Sequence, residues 1–272
     1  MKTHAVSNAK NDTPANLTIV VAGKTGAGKS TLINSVFEQN LCPTALGRPV
    51  TQSIRKLSKT GFPLTIFDTP GFELEATQQN KVKSEIISLI SKGVESRDIS
   101  QAIRCVLYCI NVQSNRIEQK EVDWLKEFLD EESRYRVPVI IVLTIAAPKS
   151  KAQSMLSELI NFDLNIFRVL PVLAQDFDID GEYTAKAYGV NDLVDVIMSA
   201  LPAEVKSTFA CVQKISLEAK HKSARTAIAT AAVAAAGVAF APIPFSDAAL
   251  LIPTQVAMIA SITTIYGFDL NP

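Results

Sequence analysis

The chain has 272 residues, of which 47% are apolar and 20% charged, and its 27 lysines and arginines are matched by 27 aspartates and glutamates. That neutral balance gives the whole molecule no electrostatic reason to seek nucleic acid, and the charged share is below the roughly 25% of an ordinary soluble domain. Two histidines, and four cysteines without metal-like spacing, exclude a histidine-based or zinc chemistry, while the length permits an enzyme domain with an appendage.

Residues 1–16 (MKTHAVSNAKNDTPAN) contain no apolar run of the length a secretory signal needs and read as a flexible, solvated tail of a cytoplasmic protein. Cys105 and Cys109 share one expected strand, which would set them ~13 Å apart, too far to bridge, so they read as reduced, buried thiols.

From residue 17 to 201, short apolar runs alternate with amphipathic stretches, as in βα units around a mostly parallel sheet. Six strands are predicted at Leu17–Ala22, Ile54–Ser58, Leu64–Asp68, Arg104–Val112, Val137–Thr144 and Ile166–Leu173. Between and after them, helices are predicted at Ser30–Glu38, Thr77–Lys92, Glu118–Asp130, Ser150–Ile160 and Val190–Leu201, the last stopped by Pro202. In the third helix, Val122, Trp124, Leu125, Phe128 and Leu129 recur at helical spacing, which marks core or docking surface rather than a cofactor box.

The stretch Gly23-Lys24-Thr25-Gly26-Ala27-Gly28-Lys29-Ser30 follows a strand and opens a helix, the context in which a glycine-rich loop binds phosphate. Its glycines let successive N–H groups face a phosphate, Lys29 neutralises charge there, and the Ser30 hydroxyl suits magnesium. Asp68 ends a core strand, placed to hold a metal through water, and Gly71 presents an N–H without a side chain in the way. Between these motifs, the polar, proline-punctuated Asn40–Ser53 is the expected closing loop, with Thr51 as first candidate for the metal contact and Thr44 as its competitor. Arg116 reads as a surface helix-start arginine, with a role toward the phosphates as the alternative.

After Pro202 the composition changes twice. Ala203–Arg225 reads as one basic connector helix with Val205, Phe209, Val212 and Ala219 on a stripe. Thr226–Phe268 then carries a single charged residue, Asp247, and divides at Pro242-Ile243-Pro244-Phe245 into two uncharged stretches of bilayer-spanning length, roughly 20 residues each. Two readings stand. The paired lengths and the preceding lysines favour a membrane, bound peripherally or entered; the alanine content, Asp247, Gln255 and the prolines favour a helical hairpin on a protein partner or a second copy.

GKTGAGKST, Thr51 and Asp68-Thr69-Pro70-Gly71 together resemble the Era-like and septin-like branch of the translation-factor-related GTPases, over residues 17–201. The resemblance implies an α/β P-loop NTPase fold, a G domain with a six-stranded, mostly parallel sheet at 17–202, followed by the α-helical region 203–272. It implies GTP/GDP and Mg2+ as cofactors, with Lys24, Thr25, Gly26, Ala27, Gly28, Lys29, Ser30, Thr31, Asp68, Gly71, Thr144 and Ala174 around the nucleotide. Ser30, Thr51 and Asp68 would hold the metal, and Lys29, Thr51 and Gly71 would serve hydrolysis by an in-line water. Phe72 stands where Ras-like enzymes place the glutamine that orients water, so slow intrinsic turnover is expected, or none in a scaffold that uses nucleotide only to set its shape. A nucleotide-dependent homodimer is a further expectation.

The family's base-reading signature, Asn/Thr-Lys-x-Asp, corresponds here to Thr144-Ile145-Ala146-Ala147. Losing the aspartate removes on the order of 1.5–3 kcal/mol of guanine discrimination, which opens the site to ATP. Asp176, Asp178 and Asp180 are weighed as substitutes and read more simply as a solvated loop. The segment Pro242–Ala248 and the closing Ile265-Tyr266-Gly267 resemble the uncharacterised helical domain attached to many bacterial Era-like GTPases, in a truncated or short form.

Overall fold

The computed structural model describes residues 15–37, 54–59, 62–71, 76–96, 101–114, 116–179, 181, 183–215, 217–239 and 247–266. The flexible tail over 1–14, the loop with Thr44 and Thr51, Phe72 and Asp180 lie outside the described residues.

The order of elements is β1 (Leu17–Gly23), α1 (Lys29–Val36), β2 (Arg55–Lys59), β3 (Phe62–Asp68), α2 (Ala76–Glu95), β4 (Ile103–Asn111), α3 (Gln119–Glu132), β5 (Val139–Thr144), α4 (Lys149–Asn161) and β6 (Arg168–Val172). A two-stranded hairpin, β7 (Phe177–Ile179) and β8 (Tyr183–Ala185), precedes α5 (Val190–Ala200), α6 (Ala203–Val212), α7 (Leu217–Ala239) and α8 (Asp247–Ile265). The main sheet runs β2-β3-β1-β4-β5-β6; only β2 is antiparallel to its neighbour.

The apolar runs are continuous because parallel strands are covered on both faces. Side chains alternate between two cores. Ile19, Val21, Leu107, Cys109 and Val142 face α1, α5 and α6, whereas Val20, Val106, Tyr108, Ile141 and Leu143 face α2, α3 and α4. Trp124 of α3 lies in the second core, stacked between Tyr108 and Phe128 with centroids 5.7 and 5.4 Å away. Burial pushes the Cys109 thiol up to about 12 and Cys105 higher still, so both are inert packing groups.

Two readings of the sequence change. The region of Asp176 and Asp178, read as a solvated loop, carries the β7–β8 hairpin, closed by Asp176 accepting from Lys186 Nζ at 2.8 Å and from the Ala187 N–H at 2.9 Å. The helix expected over Ala203–Arg225 is two helices, because the chain turns at Gln213, whose side-chain oxygen accepts from the Ile215 N–H at 2.7 Å. The apolar stripe explains the division: Val205, Phe209 and Val212 are fully buried in the same core as β1 and α1, each contributing about 1.5–3 kcal/mol, while α7 leads away. Gln213 bridges to Phe37 at the end of α1, and the Lys214 N–H donates to the Val36 carbonyl at 2.9 Å.

α7 and α8 pack on one another and expose Ile228, Val233, Ile252, Val256 and Ile259. Pro253 lies within α8, in its second turn. Among the described residues no helix is long and apolar enough to cross a membrane.

Candidate phosphate and base site

The C-terminal edges of the parallel strands gather the chemistry-bearing residues. β1 runs directly into the loop 24–28, and α1 begins at Lys29 with Gly28 as its N-cap at φ +71. Gly26 lies at φ +73, so the loop curls through backbone that side-chain-bearing residues seldom adopt. Lys29 Nζ folds back over the loop and donates to the carbonyls of Gly23 at 2.8 Å and Lys24 at 3.0 Å. An ammonium held over the loop beside the start of α1 puts positive charge next to free helix N-terminal amides, an arrangement suited to a polyphosphate.

Asp68 arrives at this edge because β3 pairs with β1 in register, Val21 opposite Asp68, and the Thr69 N–H donates to the Val21 carbonyl at 3.1 Å. Asp68 is 8% exposed, and its Oδ1 has no hydrogen-bond partner among the described residues. Burial raises its pKa above the ordinary value, and the charges of Lys29 and Arg55 oppose that rise. Arg55 faces Asp68 across β2 and β3, a neighbour that only the antiparallel pairing reveals. Gly71 closes on the loop: a Cβ there would sit 1.8 Å from Thr25 Oγ1 and 2.4 Å from the Thr25 nitrogen. Only glycine permits that approach.

Neighbouring residues fix the loop from below. Thr144 Oγ1 donates to the carbonyls of Ala27 at 2.7 Å and Ile110 at 3.1 Å, and Asn111 Nδ2 donates to that of Gly26 at 3.2 Å. Lys24 turns away from the concavity to pair with Glu118 at 3.1 Å and Glu121 at 3.0 Å on the α3 side. Its burial opposes the charged form, but hydrogen bonds and charge from Glu121 and Glu118 leave its pKa raised. Glu121 also accepts from the Tyr108 hydroxyl at 3.1 Å. Arg116 is exposed, and its charge acts on Glu118. Ser30 is half-buried in the first turn of α1.

A pocket of about 120 Å³ opens beside the loop, lined by Gly28, Thr31, Thr144, Ile145, Leu173, Ala174, Gln175 and Phe177. The sequence places Thr31, Thr144 and Ala174 here; Gln175 and Phe177 escape it because the connection after β6 and the short β7 leave no periodic signal. Ala147 is buried, and the turn it belongs to directs its polar groups inward. Gln113 Nε2 donates to the Ile145 carbonyl at 3.0 Å and to that of Ala147, and the Tyr188 hydroxyl donates to the Ala146 carbonyl at 2.6 Å. Ile145 is held at φ +50, an uncommon conformation for a β-branched residue.

With this geometry in hand, residues 18–145 match the family described as 50S ribosome-binding GTPase. The fold is that of a P-loop GTPase domain. The matched span runs from β1 through the glycine-rich loop and Asp68 to Ile145, which lines the pocket. The chain is 38% identical over 84 residues to Translocase of chloroplast 90 of Arabidopsis thaliana, covering 30% of this chain and 11% of that one. It is 24% identical over 234 residues to Septin-1 of Drosophila melanogaster, covering 76% and 60%. The chain thus spans about a tenth of the length of the chloroplast translocases it matches. Solved structures similar to it include a dimerisation-deficient mutant of Toc33 from Arabidopsis thaliana (TM-score 0.46, 18% identity, 68% of this chain and 84% of that chain). Era in complex with MgGDPNP and a 16S ribosomal RNA fragment is another (TM-score 0.45, 15% identity, 75% and 69%).

Proposed function

We propose that the chain is a magnesium-dependent guanine-nucleotide switch with slow GTP hydrolysis, which acts through its C-terminal helices at a membrane surface. The observation that carries this reading is the convergence at one strand edge of Lys29, the Thr25–Gly71 contact and a buried oxygen of Asp68 that has no partner among the described residues. A buried carboxylate oxygen without a partner is chemically incomplete, and hard oxygen donors such as Asp68 and the Ser30 hydroxyl suit magnesium. Bound there, the metal supplies charge neutralisation to the phosphates. Lys29 exchanges its two loop carbonyls for phosphate oxygens, the loop amides cradle the same group, and the Gly71 N–H reports whether a terminal phosphate is present. Lys29→Ala is expected to abolish nucleotide binding; tight GTP binding by that variant would remove the reading.

Slow turnover is inferred from Phe72, which follows Gly71 where a water-orienting glutamine is absent. The same residue favours the second reading, a scaffold that binds nucleotide without hydrolysis. Phosphate release at high protein concentration separates the two, since turnover lost on Ser30→Ala rules out the scaffold.

The membrane part rests on the exposed aliphatic side chains Leu217, Ile228, Val233, Ile252, Val256 and Ile259 of α7 and α8, on the lone charge Asp247 within 226–268, and on the exposed cations Lys214, Lys222 and Arg225. Flotation with anionic liposomes tests it. A protein that stays in the soluble fraction with GTP, with GDP and without nucleotide has no such function.

A further inference from the structure

We infer that Gln175 is the base-reading side chain of this site, and that it makes the protein accept guanine and adenine nucleotides with similar affinity. The inference rests on the nucleotide-binding reading above, widens its guanine nucleotide to purine nucleotides in general, and concerns the pocket beside the phosphate loop.

Three observations lead to it. First, the turn that follows β5 offers the pocket no acid: Ala147 is buried and does not line it, and the carbonyls of Ile145, Ala146 and Ala147 accept from Gln113 and Tyr188. Second, the acid nearest the pocket wall in sequence, Asp176, is committed to Lys186 Nζ and the Ala187 N–H, which holds its carboxyl below the usual range. Third, among the pocket's lining side chains only Thr31, Thr144 and Gln175 carry polar groups, and Thr144 already donates to Ala27 and Ile110. Thr31 belongs to α1, on the phosphate side. Gln175 is exposed, lines the pocket together with Phe177, and its amide has no partner among the described residues.

The chemistry follows from donors and acceptors. A carboxylate only accepts, so it pairs with the N1–H and 2-amino group of guanine and meets a lone pair at adenine N1. A carboxamide accepts and donates. It can accept from guanine N1–H while donating to O6; turned over, it can accept from the adenine 6-amino group while donating to N1. Ile145 and Phe177 add apolar and ring contact that every purine satisfies equally. Selection between the two purines is therefore weak by construction.

The test is equilibrium titration of the full chain with GDP, ADP and inorganic tripolyphosphate in the presence of magnesium. The wild type is expected to bind GDP and ADP within about 10-fold of one another. Gln175→Ala should weaken both by about 3- to 10-fold, one hydrogen-bonded contact, and leave tripolyphosphate unchanged. Gln175→Glu should restore a GDP preference by about 10-fold or more through loss of ADP binding. A wild-type GDP preference above about 100-fold, unchanged nucleotide affinities in Gln175→Ala, or an unaltered ratio in Gln175→Glu would each overturn the assignment while leaving the phosphate site standing. Failure of the wild type to bind any of the three ligands would instead overturn the nucleotide reading, and this inference with it.

Discussion

The hydroxyl of Thr144 lies 2.7 Å from the carbonyl of Ala27, tying the end of β5 to the underside of the phosphate loop. Both residues are buried, so the bond is shielded from water, and its loss strands an acceptor. Thr144→Val should therefore destabilise the fold by about 1–3 kcal/mol and weaken nucleotide binding through a loosened loop. Urea unfolding without ligand, paired with nucleotide titration, checks both effects. An unchanged unfolding midpoint would mean that the loop does not depend on this contact.

Asp68 supplies a prediction with an unusual sign. Its carboxyl is raised by burial, so the folded state holds the proton more tightly than the unfolded chain. The stability linked to this group is fully present below its ordinary value of 3.8 and is lost as pH rises through the higher folded value, so near neutrality the buried charge opposes folding. Asp68→Asn should accordingly raise the stability of the ligand-free protein at neutral pH and leave it little changed near pH 3, while removing the magnesium dependence of nucleotide binding. Thermal unfolding at the two pH values, with and without magnesium, reads each part.

Gly71→Ala forces a methyl group into Thr25, whose backbone nitrogen cannot yield as a side chain can. The chain after Asp68 must then retreat from the loop. GDP affinity should hold within about 3-fold, whereas the preference for a triphosphate analogue over GDP should fall by about 10-fold, the loss of one charge-assisted contact. Equal losses for both nucleotides would show that Gly71 serves packing rather than the terminal phosphate.

The burial of α6 predicts where the chain can be cut. Val205, Phe209 and Val212 fill the core under β1, and Phe209 meets the ring of Phe37 edge-on at 6.3 Å. A chain ending after Ile215 should fold and bind nucleotide, while one ending after Leu201 should lose cooperative unfolding. Phe209→Ala should cost about 3–5 kcal/mol in urea unfolding. Equivalent behaviour of the two shortened chains would return α6 to the role of a separate connector.

Much of this protein is legible in its sequence alone. Apolar runs broken by amphipathic stretches specify β1, β3 to β6 and α1 to α5, because central parallel strands are buried on both faces, whereas the antiparallel edge strand β2, Arg55-Lys56-Leu57-Ser58-Lys59, is largely exposed and charged. The phosphate loop is equally local: curling the backbone requires glycines at fixed spacing, and Lys29 must follow directly at the helix start. The apolar stripe on α6 was visible too, although what it faces was not. The remainder depends on contacts between residues far apart in the chain. Arg55 meets Asp68 through antiparallel pairing, Gln113 and Tyr188 consume the carbonyls of the turn after β5, and Gln213 ends α6 by bridging back to Phe37. Gln175 reaches the pocket from the short connection between β6 and β7, which carries no periodic signal. Local pattern determined the elements and the glycine-rich loop, since both arise within a few consecutive residues. Only the tertiary structure decided which polar groups around the pocket already have partners and which do not, because satisfaction is a property of neighbours in space.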